Sequence, residues 1–167
     1  MKNNIINKNI KQCFADVTYK CIPPSFINYK LFILCGIDVV EIKRKLLAIV
    51  LIPNEKEFTY SQLYSELKNS YFFNPIILTS DFCKAHLKSV RKIFPEVKLL
   101  PCFFHFCQAI YKNLKKWNYF KKENINEGLE LLFNIKKLCF INPSNIKKAF
   151  KKIKKNYTSE NAKHFLN

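Results

Sequence analysis

The sequence predicts an α/β domain, a mixed sheet with elements in the order β-β-β-α-β-α-β, followed by a helical C-terminal region. Three observations carry this expectation. β-Branched and aromatic runs bounded by prolines fill the first third of the chain. After Pro53-Asn54 the apolar spacing changes from strand-like to helical. Pro75-Ile76-Ile77-Leu78-Thr79-Ser80 is a short, nearly continuous apolar run, the pattern of a strand buried on both faces.

Each element follows in turn. Phe14–Ile22 reads as a strand that Pro23-Pro24 ends, and Tyr29–Ile37 as a second. Asp38–Arg44 carries charges, and Lys45–Ile52 is a third strand stopped by Pro53, close enough to the second for an antiparallel hairpin. Thr59 is the expected N-cap of a helix bearing Leu63, Tyr64 and Leu67, which Asn74-Pro75 breaks. Asp81 closes the fourth strand and opens a helix with Ala85, Leu87, Val90, Ile93 and Phe94 as its apolar set. Pro95 ends that helix, and Val97–Leu100 is a last short strand. Phe103–Trp117 is a helix, and Lys121–Asn167 reads as Lys-rich helices broken at Asn142-Pro143-Ser144. Three antiparallel strands followed by alternating helix and strand is the layout of the RNase H-like fold.

Composition narrows the function classes. With 167 residues, 49% of them hydrophobic and 15% aromatic, the chain can bury a sizeable core and is not disordered. Two glycines and no GxGxxG or GxxxxGK run exclude nucleotide loops of those types. Lys and Arg number 29 against 12 Asp and Glu, a net charge of +17 that attracts polyanions such as DNA or RNA. The abundance of Lys, Asn, Ile and Phe also fits A/T-rich coding, so charge alone decides little. The clusters Lys147-Lys148, Lys151-Lys152 and Lys154-Lys155 read first as solvated helix faces. Leu31–Val40 and Leu46–Pro53 fall short of the roughly 20 apolar residues that span a bilayer, so no membrane partner is expected. The N-terminus lacks a signal-peptide core, and seven scattered Cys read as reduced thiols. The expected location is nuclear or cytoplasmic.

Three aspartates occur. Asp16 interrupts the apolar run of the first strand, where a carboxylate is costly unless it meets a cation or hydrogen-bond donors, or faces solvent on the pleat. Asp81 stands at the carboxyl end of the fourth strand, where α/β folds place ligands, and it also suits a helix N-cap. In an RNase H-like sheet the first and fourth strands are neighbours, so the two carboxylates would meet. Paired carboxylates can hold Mg²⁺ or Mn²⁺, and two such ions clamp the attacking and leaving oxygens of a phosphoryl transfer. Asp16 is the choice for a bridging ligand, and Asp38 reads as a turn residue. Cys102 and His105 form a Cys-x₂-His pair that can ligate zinc, although a structural site needs four ligands. His86 and His164 have no partner visible in the sequence.

Several ordered blocks resemble the MULE (Mutator-like) transposases. They are Asp81-Phe82-Cys83-Lys84-Ala85, Val90-Arg91-Lys92-Ile93-Phe94-Pro95 and Cys102-Phe103-Phe104-His105-Phe106-Cys107-Gln108-Ala109. Upstream, Leu51-Ile52-Pro53-Asn54-Glu55-Lys56 with Thr59-Tyr60, and Asp16-Val17-Thr18-Tyr19-Lys20 with Pro23, are similar to earlier family segments. Leu138–Pro143 resembles the opening of the family's helical insertion. The resemblance implies an RNase H-like fold and an Asp-Asp-Glu metal site in which Asp16 and Asp81 are the first two acids. It also implies Mg²⁺ or Mn²⁺, DNA as partner, and DNA strand cleavage and transfer in transposition. Cys102 and His105 match its Cys-x₂-His signature. Val17 stands where the family usually has Gly.

The family's third acid lies beyond the helical insertion, and Glu123, Glu127, Glu130 and Glu160 come too early for it. The expectation is therefore a tail over 1–12, a transposase core over 13–118, and the start of a truncated helical insertion over 119–167. Such a chain is expected to bind DNA yet be catalytically incomplete, with a second copy or a full-length transposase as protein partner. The alternative is a non-enzymatic nucleic-acid-binding or interaction module derived from a transposase.

Overall fold

The computed structural model describes residues 9–19 and 21–166, apart from the side chain of Asn161. Most of the tail expected over 1–12, and Lys20 of the first-strand motif, lie outside the described residues. The chain divides into two compact units between Cys102 and Phe103, whereas the sequence pattern places a boundary at 118.

The first unit is a five-stranded sheet with two helices. Strands β1 (Ile10–Thr18), β2 (Lys30–Asp38) and β3 (Lys43–Ile52) precede helix α1 (Glu57–Tyr71). Strand β4 (Ile77–Ser80), helix α2 (Lys84–Ile93) and strand β5 (Lys98–Pro101) follow. The spatial order is β3-β2-β1-β4-β5, antiparallel for β1–β2 and β2–β3 and parallel for β1–β4 and β4–β5. The expected mixed α/β architecture is observed.

Strand alternation sorts the side chains. Cys13 and Ala15 of β1, with their cross-strand partners Gly36 and Leu34, lie on the buried face together with Phe32 and Leu78. This core also holds Tyr60, Tyr64 and Leu67 of α1 and Val90 of α2. Tyr60, Tyr64 and Leu67 recur at helical spacing, which turns one stripe of α1 onto the sheet. Ser89 lets α2 approach α1: its hydroxyl donates to the Glu57 and Ala85 carbonyls, at 2.8 and 2.9 Å. On the opposite side of β3, Leu46 and Ile49 are exposed.

Three local expectations are corrected. β1 begins at Ile10 and ends at Thr18, rather than running from Phe14 to Ile22. Its partner strand explains both ends, because β2 offers Asp38 opposite Ile10 and Leu31 opposite Thr18, one residue from its own start. Helix α1 begins at Glu57 with Lys56 as N-cap, not Thr59. The Asn54 side chain braces the turn ahead of it, its oxygen accepting from the Lys56 N–H at 3.0 Å and the Thr59 hydroxyl at 2.8 Å. Helix α2 has Cys83, not Asp81, as its N-cap.

The second unit is helical: α3 (Phe103–Lys116), α4 (Ile125–Lys137), α5 (Pro143–Asn156) and α6 (Glu160–Leu166). Its own core contains Ile110, Leu114, Tyr119, Leu131, Ile135 and Tyr157. Asn142 caps α5, accepting from the Ser144 N–H with Pro143 at the first helical position. No helix of the described residues is long and apolar enough to cross a membrane.

Candidate functional site

The parallel ladder between β1 and β4 sets the site. Gln12, Cys13 and Phe14 pair with Ile77, Leu78 and Thr79. Asp16 lies two residues past Phe14 and Asp81 two past Thr79, the last pair of that ladder. Both therefore stand at the carboxyl end of neighbouring parallel strands, far apart in sequence. Neighbouring register is a consequence of the sheet order β2-β1-β4, which inserts β1 between its hairpin partner and the first crossover strand.

Their surroundings differ. Asp16 is exposed and pairs across the ladder with Ile33 of β2. Its neighbours Cys13 and Ala15 are fully or almost fully buried on the other face, so the strand keeps its hydrophobic side while presenting the carboxylate outward. Burial pushes the Cys13 thiol up to about 12, with the Cys35 thiol adding to it, so Cys13 is an inert core residue. Asp81 is mostly buried, and its Oδ1 accepts from the Cys83 N–H at 3.1 Å. That bond ties the carboxylate to the turn entering α2, two residues ahead of the N-cap at Cys83.

His86, for which the sequence offered no partner, is packed at the heart of this unit with 1% of its surface exposed. Its ring lies against Tyr60 (centroids 4.7 Å apart) and Tyr64 (5.6 Å), and makes a T-shaped contact with Phe32 at 6.2 Å. Its Nε2 is 2.6 Å from the Tyr64 hydroxyl, and its Nδ1 is 3.6 Å from Oδ1 of Asp81. The signal that could have found it is spacing: His86 lies one position after Ala85 and four before Val90, on the buried stripe of α2. His164 is likewise partnered, stacked on Trp117 at 5.4 Å.

The remaining candidates are placed as follows. The Cys102 N–H donates to the Ser80 carbonyl at 2.8 Å, prolonging the β4–β5 edge beyond the last residue of β5. His105 lies in the first turn of α3 and is half-buried. Asp38 ends β2 and is buried, accepting from the N–H groups of Val40 and Glu41 and from the Lys45 ammonium at 2.7 Å, which makes it the anchor of the β2–β3 turn. Glu127 accepts from the Ser159 hydroxyl at 2.9 Å, a structural contact within the helical unit. Among the described residues, no group of three or more His, Cys, Asp or Glu is gathered so as to hold a metal ion.

Open α/β sheets commonly place ligands outside the carboxyl ends of their parallel strands. The sequence matches the MULE transposase domain over residues 13–109, more than half of the chain, and the protein belongs to that family. Among curated proteins the sequence finds no match.

Proposed function

We propose that the chain forms an RNase H-like transposase core that binds DNA and contributes Asp16 and Asp81 to a divalent-metal site for DNA strand cleavage and transfer. The observation that carries this reading is the parallel pairing of β1 with β4, which sets the two strands leading to Asp16 and Asp81 side by side. Their donor chemistry fits Mg²⁺ or Mn²⁺, hard cations that prefer carboxylate oxygens. Such ions, when bound, neutralise charge on the attacking and leaving oxygens of a phosphoryl transfer. Asp16 is accessible to solvent and suits the shared ligand position, while Asp81 is held from behind by the Cys83 N–H. Cys102, tied to the last residue of β4 by its N–H, fits a supporting role at this end of the sheet. With His105 it supplies two ligands, fewer than the four a structural zinc site needs.

The net charge of +17 supports the DNA part of the reading. Six exposed lysines (Lys147, Lys148, Lys151, Lys152, Lys154 and Lys155) stand on α5 of the helical unit. That charge also favours a second reading, a nucleic-acid-binding module without chemistry.

One experiment separates the two. Mn²⁺ binding is measured by electron paramagnetic resonance, and duplex DNA binding by fluorescence anisotropy across a salt series. The metal-site reading expects Mn²⁺ binding that is lost in Asp16→Asn and in Asp81→Asn. It expects DNA binding in all three proteins, with a log–log salt slope of about −4 or steeper. Mn²⁺ binding indifferent to both substitutions sinks the metal site and leaves the binding module.

A further inference from the structure

We infer that Tyr64 and His86 are positioning residues that orient the Asp81 carboxylate through a buried Tyr–His–Asp relay. The inference rests on Asp81 being a metal ligand, and it names what holds that ligand in place.

The geometry is a chain of three polar groups reaching from the core to the carboxyl end of β4. The Tyr64 hydroxyl and His86 Nε2 are 2.6 Å apart, a short contact between two fully or almost fully buried groups. On the other side of the ring, Nδ1 faces Oδ1 of Asp81 at 3.6 Å. An imidazole with one ring proton has two tautomers, and electrostatics separates them. With the proton on Nε2, the Nδ1 lone pair would face a carboxylate oxygen, and the Tyr64 hydroxyl proton would have to find another acceptor. With the proton on Nδ1, the Tyr64 hydroxyl donates to Nε2 and the Nδ1–H dipole points at the carboxylate. Burial, with Cys13 and Asp81 nearby, pushes the Tyr64 phenol well above its ordinary value, so it keeps its proton to donate.

The ring itself cannot turn away. Tyr60 and Tyr64 lie nearly parallel to it, with interplanar angles of 18° and 9°, and Phe32 meets it at 80°. A packing role alone would be met by any flat apolar ring, whereas this site places a polar ring with one nitrogen on a phenol and the other on an acid. A separation of 3.6 Å exceeds a hydrogen bond, so at this length the N–H orients Oδ1 as a dipole. Contacts of this kind tighten when a catalytic group engages its partner. Outer-shell partners of a ligating group are worth on the order of 10- to 100-fold in metal affinity.

The test has a metal-free arm and a metal arm, both on the full chain. In the first, ¹⁵N NMR of the His86 ring reads the tautomer, and the Cys83 amide, which donates to the same Asp81 oxygen, reads the carboxylate. The expected result is the Nδ1–H form, with Tyr64→Phe mixing the tautomers and moving the Cys83 amide signal. A dominant Nε2–H form, or a Cys83 amide unmoved by Tyr64→Phe, overturns the relay.

In the second arm, Mn²⁺ affinity is measured for wild type, Asp81→Asn, Tyr64→Phe, His86→Asn and His86→Leu. The expected order is loss in Asp81→Asn, weakening by about tenfold in Tyr64→Phe and His86→Leu, and partial recovery in His86→Asn. The asparagine keeps a donor near the Nδ1 position, so recovery marks a positioning role, because packing loss would track melting temperature instead. Wild-type affinity in Tyr64→Phe alongside loss in Asp81→Asn overturns the relay and leaves the metal reading standing. Wild-type affinity in Asp81→Asn overturns the metal reading itself, whatever the tautomer.

Discussion

Replacing Leu34 and Leu46 by alanine, one at a time, tests which face of the sheet is the core. The two residues sit on adjacent strands of the same hairpin. Leu34 has no exposed surface and Leu46 is 57% exposed. The substitution is chemically identical at both positions, so burial is the main variable. Removing three carbons costs about 2.4 kcal/mol at ~0.8 kcal/mol per buried methylene. The cavity left at Leu34 adds about 1 kcal/mol if some 40 Å³ stays unfilled, at ~24 cal/mol per Å³. The expected loss is therefore about 3–4 kcal/mol at Leu34. Leu46 has under half its surface to lose and no enclosed cavity to leave, so about 1 kcal/mol is expected there. Urea unfolding reads the difference, followed by circular dichroism and tyrosine emission because the single tryptophan, Trp117, belongs to the helical unit. With a slope of about 1.5–2 kcal/mol per molar urea, the midpoint falls by roughly 2 M for Leu34→Ala and roughly 0.5 M for Leu46→Ala. Equal losses at the two positions would refute the assignment of Leu46 to an open face.

Three further outcomes are expected. Gly128→Ala destabilises the helical unit by about 1–2 kcal/mol, reversing the gain of about 1 kcal/mol that alanine normally brings to a helix interior; its Cβ would stand 2.8 Å from the Tyr119 carbonyl oxygen and 2.9 Å from the Tyr119 Cβ, and Trp117 emission in urea reads the effect. Ile42 sits in the β2–β3 turn at φ 51°, a left-handed conformation that opposes a β-branched side chain, and it is exposed, so Ile42→Asn raises the thermal midpoint by a stability gain of up to about 1 kcal/mol; a fall would refute the strain. The hydrogen bond from Lys45, then the N–H of Glu41 and, against the opposing effect of burial, that of Val40, hold the Asp38 carboxyl down to about 2 from 3.8. A depressed carboxyl stabilises the folded state fully above the unfolded value and loses that contribution as pH falls through the folded one. The loss is thus expected between pH 3.8 and about 2, and Asp38→Asn flattens the stability curve there; an unchanged acid limb would count against it.

Much of the fold is legible because local chemistry is emphatic in this chain. Pro53, Asn74-Pro75 and Pro95 remove donors and fix backbone angles, and β3, the approach to β4 and helix α2 end or begin within a few residues of them. The run Pro75–Ser80, read as a strand buried on both faces, forms β4 between β1 and β5, where Leu78 and Ser80 are buried but Ile77 and Thr79 only half-buried. Expectation and structure part where a non-local partner decides. The ends of β1 follow β2, a strand that no residue of β1 announces. Thr59 loses the capping position to Lys56, and its hydroxyl is taken instead by the loop residue Asn54. His86 escapes notice because a lone histidine carries no period of its own; its place is visible only against the stripe of α2 on which it falls.

The kinds of elements, their order, the family blocks from Asp16 to Ala109, and a charge suited to a polyanion were all legible in the primary structure. Those are properties of single residues and short spacings, and they survive without a three-dimensional frame. Folding had to supply the parallel pairing of β1 with β4, the exposure of Asp16, and the place of Tyr64 and His86 behind Asp81. Each of these depends on residues distant in the chain being brought to within a few ångströms. Sequence spacing carries almost no information about such proximity, because a ladder or a packed helix pair fixes it only after the whole sheet has closed.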